Sequence, residues 1–300
     1  MNNKKISCII LNWNGKQYLK DCLDSVLSSS YKNLKVIVVD NASTDGSSEF
    51  IKNNYKKVVV IENKTNLGWT GGNNKGIKYA LGKKTDFIFI LNNDTQIDKK
   101  CIEELAKEID EKDEIGIVGP KIFLKVNGKK TNRISFAGGK FKPNRYFGVH
   151  IGNNKLDSKA YGKVKQTEFV TGAAIMIKNE VFKKVGLFDD KYFIYYDEAD
   201  FCMRARKKGY KIFYVPTAHV YHDFSGTVEL NSPFQNYYTT RNHYLFVEKN
   251  APQSVKIREF LRTPKTAYEF FKSKDRNIKK YSLLGIRDYY LRRFGKRTYW

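Results

Sequence analysis

The first half of the chain alternates short apolar runs with segments of helical periodicity. The apolar runs predict buried strands at residues 5–11, 34–39, 58–61 and 87–91. Helical patterns follow these runs, at residues 16–27, 47–53, 73–81 and 97–109. Strands and helices that alternate in this way predict an α/β fold, in which helices flank a mostly parallel, Rossmann-like sheet.

Polar residues collect where the predicted strands end. They are Asn12 and Asn14, then Asp40 and Asn41, then Asn66, and finally Asn92, Asn93 and Asp94. Ligands of open α/β sheets bind beyond the carboxyl ends of the strands, so the four clusters together predict a ligand site at this edge. Any one cluster alone is also what an ordinary turn contains.

The clusters suit the parts of a nucleoside diphosphate. The carboxylate of Asp40 can accept a hydrogen bond from a base N–H or a ribose hydroxyl. Residues 66–74 (NLGWTGGNN) are predicted to be a glycine-rich loop that enters a helix, in which Gly68, Gly72 and Asn73 let the backbone approach a phosphate or sugar. This loop is neither a dinucleotide G-x-G-x-x-G motif nor a Walker A loop.

Asp94 is a candidate ligand for a divalent cation. Hard cations such as Mg2+ or Mn2+ prefer carboxylate and phosphate oxygen. His222, at the end of a late predicted strand, is the second candidate, because imidazole is compatible with Mn2+. The alternative is that His222, like most lone histidines, is structural. His219 lies three residues earlier on the strand and therefore points to the opposite face.

An acidic cluster follows an aromatic run in the second half of the chain. Residues 192–196 (YFIYY) lead directly into Asp197, Glu198 and Asp200, at the start of a predicted basic helix. Carboxylates are tolerated at a helix N-terminus. Burial beside aromatic rings raises a carboxyl pKa toward neutrality, which suits a general base. The alternative is a negatively charged helix start without a catalytic role.

Together these motifs resemble those of the inverting glycosyltransferases of family 2, which have the GT-A fold. The similarity is to the bacterial and archaeal branch that includes rhamnosyltransferase-like enzymes of cell-surface polysaccharide synthesis. The matching motifs are IILNWNG (9–15), VVDNASTDGS (38–47), NLGWTGGNNKG (66–76), LNNDT (91–95), TGAAIMIK (171–178), VGLFDDKYFIYYDEADFCMRARKKGY (185–210) and VYH (220–222).

The resemblance implies a role for several of these residues. The residue that matches Asp40 contacts the nucleobase in the family, and the D-x-D-like element that matches residues 92–94 contacts ribose and metal. The histidine that matches His222 contacts the metal. The acidic pair before the basic helix supplies the base. Mg2+ or Mn2+ is therefore the implied cofactor.

The chain departs from the family pattern at two of these positions. Asn92 replaces the first acid of the D-x-D element, which leaves Asp94 as its only carboxylate. The usual Glu-Asp pair is reversed, so counting back from Asp200 puts Glu198 at the base position, with Asp197 as the second choice.

The implied reaction is an inverting, in-line transfer of a sugar from a nucleotide-diphosphate donor, such as a UDP- or dTDP-sugar. The acceptor is a hydroxyl of a glycan or of a lipid-linked acceptor molecule. The Gln-x-x-Arg-Trp motif of the family's processive synthases is absent, which favours transfer of one sugar per acceptor. The alternative is a sugar-nucleotide-binding protein without catalysis, which the two departures allow.

The composition indicates a strongly basic protein and its expected cellular compartment. The chain carries 55 Lys or Arg and 31 Asp or Glu, a net charge of +24. Its four cysteines are widely spaced and predict free thiols in a reducing cytoplasm. Neither a signal peptide nor an apolar run of about 20 residues is visible, so we expect a cytoplasmic protein. A nucleic-acid partner is not expected, because the sequence contains no recognition motif for one.

The last 50 residues predict a basic, aromatic, helical extension (251–300) after a catalytic domain at 1–250. The extension contains fourteen Lys or Arg and four Asp or Glu. Helices are predicted at 255–271, limited by Pro252 and Pro264, and at 278–294. Interleaved aromatics, including Phe270, Phe271 and Trp300, favour an anionic membrane surface as partner, on the inner face of the cell membrane. The alternative is that the aromatics pack on the catalytic domain.

Because every sugar-nucleotide motif precedes Asn250, we also expect donor binding to be independent of this extension.

Overall fold

The computed structural model describes residues 4–223, 232–272 and 276–299. Its strands are β1 (Ile6–Asn12), β2 (Leu34–Asp40), β3 (Val59–Glu62), β4 (Phe87–Asn92), β5 (Thr95–Ile97), β6 (Ile115–Val126), β7 (Lys129–Phe136), β8 (Gly139–Phe141), β9 (Gly148–His150), β10 (Lys165–Gln166), β11 (Ala174–Lys178) and β12 (Lys211–Asp223). Its helices are α1 (Lys16–Leu27), α2 (Ser47–Asn54), α3 (Gly68–Gly82), α4 (Cys101–Asp110), α5 (Asn179–Val185), α6 (Asp197–Lys207), α7 (Pro233–Asn250), α8 (Gln253–Lys272) and α9 (Arg276–Tyr290), with a 3₁₀ turn at Lys159–Tyr161.

Within the described residues, ten strands form one sheet with a parallel N-terminal part. The order is β10-β12-β6-β11-β4-β1-β2-β3, and β5 and β7 pair with β12 and β6. Strands β3, β2, β1 and β4 are parallel neighbours, as the alternating pattern predicts. Strand β11 is antiparallel to both β4 and β6, so it joins this part to a C-terminal part. The predicted α/β fold is confirmed, and the antiparallel pairings are an addition to it.

The register of the parallel strands brings the predicted polar clusters to one edge. Asn12 lies opposite Asp40, and Leu11 lies opposite Asn92. Antiparallel pairing of β5 with β12 sets His222 opposite Thr95. Residues that are 28, 81 and 127 positions apart in the sequence therefore meet beyond the carboxyl ends of β1, β2 and β4.

The prediction of a glycine-rich loop at residues 66–74 is wrong, because α3 already begins at Gly68. Two glycines of α3, Gly72 and Gly76, lie on the helix face that packs on β1. A Cβ atom on Gly72 would lie 2.3 Å from Cδ1 of Leu11, and one on Gly76 would lie 2.6 Å from Cγ2 of Ile9. The glycines therefore permit close packing of helix on sheet, and this tertiary contact outweighs their low helix propensity.

One further predicted helix boundary is wrong, and so is the limit that Pro264 was expected to set on the helix predicted at 255–271. Helix α4 begins at Cys101 instead of residue 97, because residues 95–97 pair with β12 as strand β5. Helix α8 continues through Pro264 to Lys272. Pro264 is exposed, so water can take the place of the backbone hydrogen bond that proline removes. The side chains of Phe270 and Phe271, and all of Trp300, lie outside the described residues.

A buried arginine of α7 connects two segments that are distant in the sequence. Arg241 of α7 is fully buried. Its guanidinium donates to the carbonyls of Lys191, Tyr192 and Gly295 at 3.0, 2.8 and 2.7 Å. We call residues 191–196 the aromatic loop and residues 291–299 the C-terminal segment. Arg241 thus joins the loop that precedes α6 to the segment that follows α9.

We expect Arg241→Ala to lower the free energy of unfolding by about 3–5 kcal/mol, because it leaves several buried carbonyls without a donor. Thermal unfolding measures this loss. Arg293→Ala removes an exposed arginine of the same segment and serves as the control, with an expected change within about 0.5 kcal/mol. Equal stability of the two variants would contradict the connecting role of Arg241.

Candidate active site

A cavity of about 620 Å³ lies beyond the carboxyl ends of β1, β2 and β4. This volume is within the range of small-molecule sites. Seven of the residues predicted from the sequence line the cavity: Asn41, Asn66, Gly68, Asn92, Asn93, Asp94 and His222. The structure therefore brings the polar clusters of several strand ends to one concave surface.

Asn41 organises the side of the cavity near β2. Its Nδ2 donates to Oδ1 of Asn66 at 2.9 Å and to the carbonyl of Gly68 at 3.1 Å. Its Oδ1 accepts from the backbone N–H of Leu67 at 3.0 Å and from Nδ2 of Asn63 at 3.1 Å. Since all these groups are paired with one another, the amide cluster holds the entry to α3 in a fixed shape.

Asn12, Asn14 and Asp40 are not among the residues that line the cavity. Asn12 Nδ2 donates to Oδ1 of Asp40 at 3.0 Å, and its Oδ1 accepts from Nδ2 of Asn93 at 2.7 Å. The other oxygen of Asp40 accepts from the N–H of Ser43 at 2.9 Å. Asn14 Oδ1 accepts from the N–H of Thr44 at 2.8 Å. These side chains position the strand ends and connect Asp40 to Asn93, which does line the cavity.

The residues of α3 divide between two environments. Gly68 lines the cavity at a φ of +73°, and a Cβ there would lie 2.3 Å from the carbonyl oxygen of Phe193. Gly72 and Asn73 face inward, because Gly72 packs on β1 and Nδ2 of Asn73 donates to the carbonyl of Trp69 at 2.9 Å. Trp69, a lining residue that the sequence analysis did not single out, donates from Nε1 to Oδ1 of Asn92 at 3.1 Å.

Asp94 and His222 form a pair in the cavity wall. Oδ1 of Asp94 lies 3.0 Å from Nε2 of His222, and both side chains are about 9% exposed. A carboxylate and an imidazole that converge on one cavity are suitable donors for Mg2+ or Mn2+, with the remaining positions open to phosphate oxygens and water. Within the described residues, no three His, Cys, Asp or Glu side chains are grouped so that they could hold a metal ion. A cation at Asp94 and His222 would therefore need further ligands from the substrate or from water.

The two candidates for the general base, Asp197 and Glu198, lie at the start of α6. Asp197 is 2% exposed, and one of its oxygens accepts from Oγ1 of Thr70 at 2.6 Å. Burial raises the pKa of Asp197. Burial, and then the nearby charge of Asp197, raise the pKa of Glu198 well above its ordinary value. Neither carboxyl group is among the residues that line the cavity.

The aromatic loop connects this pair to the cavity. Phe193, Ile194 and Tyr195 line the cavity, and α6 begins two residues later at Asp197. Phe193, Tyr195 and Tyr196 have φ values of 68°, 66° and 69°, in the left-handed region that is rare for such residues. Conformations of this kind occur at functional sites, where surrounding contacts hold them in place.

Several lining residues were missed by the sequence analysis. Trp13 had a local signal, because it is a large aromatic residue directly after β1, and it is 44% exposed. The others had no signal at this position in the chain: Leu11, Phe234, Gln235, Lys296, Arg297 and Thr298. Lys296, Arg297 and Thr298 place the end of the predicted extension beside this cavity, and the independence of donor binding from the extension stays a prediction.

Solved structures with a similar fold support the architecture. The structure of GalNAc-T7 with UDP, GalNAc and Mn2+ matches at a TM-score of 0.66 and 19% identity, over 82% of this chain and 48% of that one. The structure of S. aureus TarS 1–349 in complex with UDP matches at a TM-score of 0.57 and 17% identity, over 91% of this chain and 76% of that one. These likenesses confirm the GT-A fold.

Curated relatives are similar over most of their length. The low-salt glycan biosynthesis hexosyltransferase Agl10 of Haloferax volcanii is 27% identical, over 80% of this chain and 74% of the relative. The dTDP-rhamnosyl transferase RfbF of Shigella flexneri is 26% identical, over 86% of this chain and 85% of the relative. The N-acetylglucosaminyl-diphospho-decaprenol L-rhamnosyltransferase of Mycobacterium tuberculosis is 24% identical, over 68% of this chain and 71% of the relative.

A family model matches the sequence directly. Its description is glycosyl transferase family 2, and it matches residues 7–186, which include β1 to β6, β11 and α1 to α5. The matched region contains the amide cluster and Asp94. The chain therefore belongs to glycosyl transferase family 2.

Proposed function

We propose that the protein is an inverting, metal-dependent glycosyltransferase that transfers one sugar from a UDP- or dTDP-sugar to a hydroxyl of a glycan or lipid-linked acceptor. The product would be part of a cell-surface glycan. The observation that carries this proposal is the cavity that combines the amide cluster with the Asp94–His222 pair. Relatives named as a hexosyltransferase and a dTDP-rhamnosyl transferase support the donor class.

The amides of the cavity suit the nucleoside half of the donor. Asn41, Asn66, Asn92 and Asn93 offer both donors and acceptors along one wall, which is what a base edge and a ribose require. Trp13 and Trp69 offer ring faces on which a base or sugar can pack. This arrangement would orient the donor with its diphosphate toward Asp94.

Asp94 and His222 are the residues that would hold the divalent cation. Their spacing of 3.0 Å and their place in the cavity wall allow both to bind one ion together with diphosphate oxygens. The bound ion would neutralise charge on the diphosphate, which is the principal electrostatic demand of this reaction.

Glu198 is the proposed general base. Thr70 donates to Asp197 and so favours its ionised form, whose charge makes Glu198 the stronger proton acceptor of the two. The acceptor hydroxyl would lose its proton to Glu198 as its oxygen bonds to the anomeric carbon. The bond from that carbon to the phosphate oxygen breaks at the same time, on the opposite face, and the nucleoside diphosphate leaves.

A second candidate is a sugar-nucleotide-binding protein without catalysis. It is favoured by one observation, that neither Asp197 nor Glu198 is among the cavity-lining residues. The two functions differ in whether nucleoside diphosphate is released from a UDP- or dTDP-sugar. Release that depends on an acceptor with a free hydroxyl would support the transferase and exclude the second candidate.

The proposed partner of the extension is an anionic membrane surface. Helix α8 exposes Ile257, Phe260 and Leu261 at 52%, 63% and 69%, on one helical stripe, with the exposed Arg258 beside them. An apolar stripe flanked by basic residues has the chemistry of an interfacial helix. Within the described residues, no helix is both long and apolar enough to cross a bilayer.

For the metal, we expect Asp94→Ala to lose most of its activity with Mg2+ or Mn2+ while its thermal unfolding is preserved. Asp98→Ala is the matched control. Asp98 forms a similar pair with His219, at 3.1 Å, but lies outside the cavity lining. Sugar transfer is measured by release of nucleoside diphosphate. Full activity of the wild-type protein in EDTA would exclude the metal role.

For the base, we expect Glu198→Gln to lower kcat by about 10²- to 10⁴-fold, while donor binding is preserved. The base acts only in its ionised form. Because the pKa of Glu198 is raised, the wild-type rate should fall as pH drops through a value above the ordinary carboxyl range. A pH–rate profile measures this limb.

Asp197→Asn tests the assignment within the pair. We expect it to alter the pH–rate profile, since the charge of Asp197 raises the pKa of Glu198. A crippling effect of Asp197→Asn together with a mild effect of Glu198→Gln would assign the base to Asp197 instead.

For the membrane, we expect Leu261→Asp to reduce co-sedimentation with vesicles that contain anionic lipid. Leu27→Asp places the same change on an exposed leucine of α1 and should leave co-sedimentation unchanged. Added salt should weaken the attachment, because each basic residue near the surface contributes about 1 kcal/mol that is screened over a Debye length. A wild-type protein that ignores anionic vesicles at low salt would contradict the proposal.

A further inference from the structure

The C-terminal segment brings two cationic side chains to the donor cavity. Lys296 and Arg297 line the same cavity as Asp94, His222 and Asn92. They are separated from Asp94 by about 200 residues of sequence, and no family motif includes them. No other Lys or Arg is among the described residues that line this cavity.

The backbone on both sides of Lys296 is fixed by the catalytic part of the chain. The N–H of Gly295 donates to the carbonyl of Lys191 at 3.0 Å, and the carbonyl of Gly295 accepts from Arg241 at 2.7 Å. The N–H of Arg297 donates to the hydroxyl of Tyr238 at 2.9 Å. Lys296 is therefore held at the cavity by its neighbours, and not by its own side chain.

The residues that follow are also anchored. The hydroxyl groups of Tyr299 and Tyr237 both donate to Oδ2 of Asp288, each at 2.8 Å, and Asp288 is fully buried. Nε of Arg297 lies 3.7 Å from the same carboxyl oxygen. A segment with this many fixed points presents its cations with little conformational freedom left to lose on binding.

The side chain of Lys296 is available for a ligand. It is exposed at the mouth of the cavity, and it makes no ion pair with any residue that the structure describes. The rest of the polar lining consists mainly of neutral amides and the Asp94–His222 pair. An anionic ligand that enters between these walls would therefore meet its positive charge from the C-terminal segment.

We propose that Lys296 and Arg297 bind the diphosphate of the sugar nucleotide and stabilise the departing nucleoside diphosphate. This inference rests on the proposed donor class. A diphosphate carries several negative oxygens and gains charge as the bond to the sugar breaks, and cationic donors positioned there lower the barrier. Arg can contact two phosphate oxygens at once, while Lys acts as a point charge.

The test measures binding of UDP and dTDP, the matching monophosphates and the free nucleosides by isothermal titration calorimetry, without lipid. We expect Lys296→Ala and Arg297→Ala each to weaken diphosphate binding by about tenfold, as the loss of a charge-assisted hydrogen bond does. Nucleoside binding should be unchanged, because the amide cluster does not involve these residues. The effect should diminish at high salt.

Lys279→Ala is the charge-matched control, since Lys279 is exposed on α9 and outside the cavity lining. Lys296→Glu is a second variant at the exposed position, which avoids any loss of the Arg297–Asp288 contact. We expect it to weaken diphosphate binding more than Lys296→Ala does. Thermal unfolding of each variant checks that the fold is retained.

The outcomes separate this inference from the proposed function. If the wild-type protein binds UDP or dTDP, and the Lys296 and Arg297 variants bind it equally well, the inference is overturned and donor binding stands. If the wild-type protein binds neither diphosphate, the donor proposal is overturned and the inference with it. A co-sedimentation assay with vesicles that contain a lipid diphosphate supplies the third outcome. If the variants lose binding to these vesicles but bind UDP and dTDP normally, the cations serve the acceptor and the inference is overturned.

Discussion

The candidate active site depends on a guanidinium group that is buried in the protein. Arg241 is surrounded by protein on all sides, and burial lowers its pKa, yet arginine retains its charge in such a setting. Carbonyl groups from the aromatic loop and the C-terminal segment surround the charge, and the ring of Tyr238 lies 4.8 Å from the guanidinium carbon. Burying an isolated cation would cost several kcal/mol, so these partners must be in place when α7 packs. The requirement makes assembly of the cavity wall a condition of folding.

The next residue of α7 holds the strained part of the site. Nδ2 of Asn242 donates to the carbonyls of Tyr192, Ile194 and Tyr195 at 3.0, 2.6 and 3.0 Å. The left-handed residues of the aromatic loop cost about 1–3 kcal/mol each, which these hydrogen bonds offset. The loop in turn accepts from the N–H of Thr70 through the carbonyl of Phe193, at 3.1 Å. Since Thr70 also donates to Asp197, the same residue supports both the aromatic loop in the cavity wall and the acidic pair.

Much of the N-terminal half could be predicted from the sequence, because its strands are continuous apolar runs and parallel strand ends must meet at one edge. That rule correctly grouped Asn41, Asn66, Asn92 and Asp94. It could not tell lining residues from supporting ones. Asn12 and Asp40 satisfy each other through a hydrogen bond of 3.0 Å, a pairing that depends on side-chain direction and not on spacing. The start of α3 was missed for a related reason, since close packing against Leu11 and Ile9 is a tertiary effect.

The place of the C-terminal segment at the cavity could not be predicted, because nothing in its composition distinguishes Lys296 from the other basic residues of a chain with net charge +24. A charge surplus alone describes a field around the protein and is equally compatible with nucleic acid, membrane or phosphate. The position of each basic residue within the fold distinguishes the kinds of surface to which it belongs. Helix α8 carries exposed apolar residues next to its basic ones, whereas Lys296 and Arg297 stand at a polar cavity with Asp94 and His222. The basic extension therefore has an amphipathic outer surface on α8 and a cationic inner surface at the cavity, and the contacts of Arg241 hold the inner surface in place.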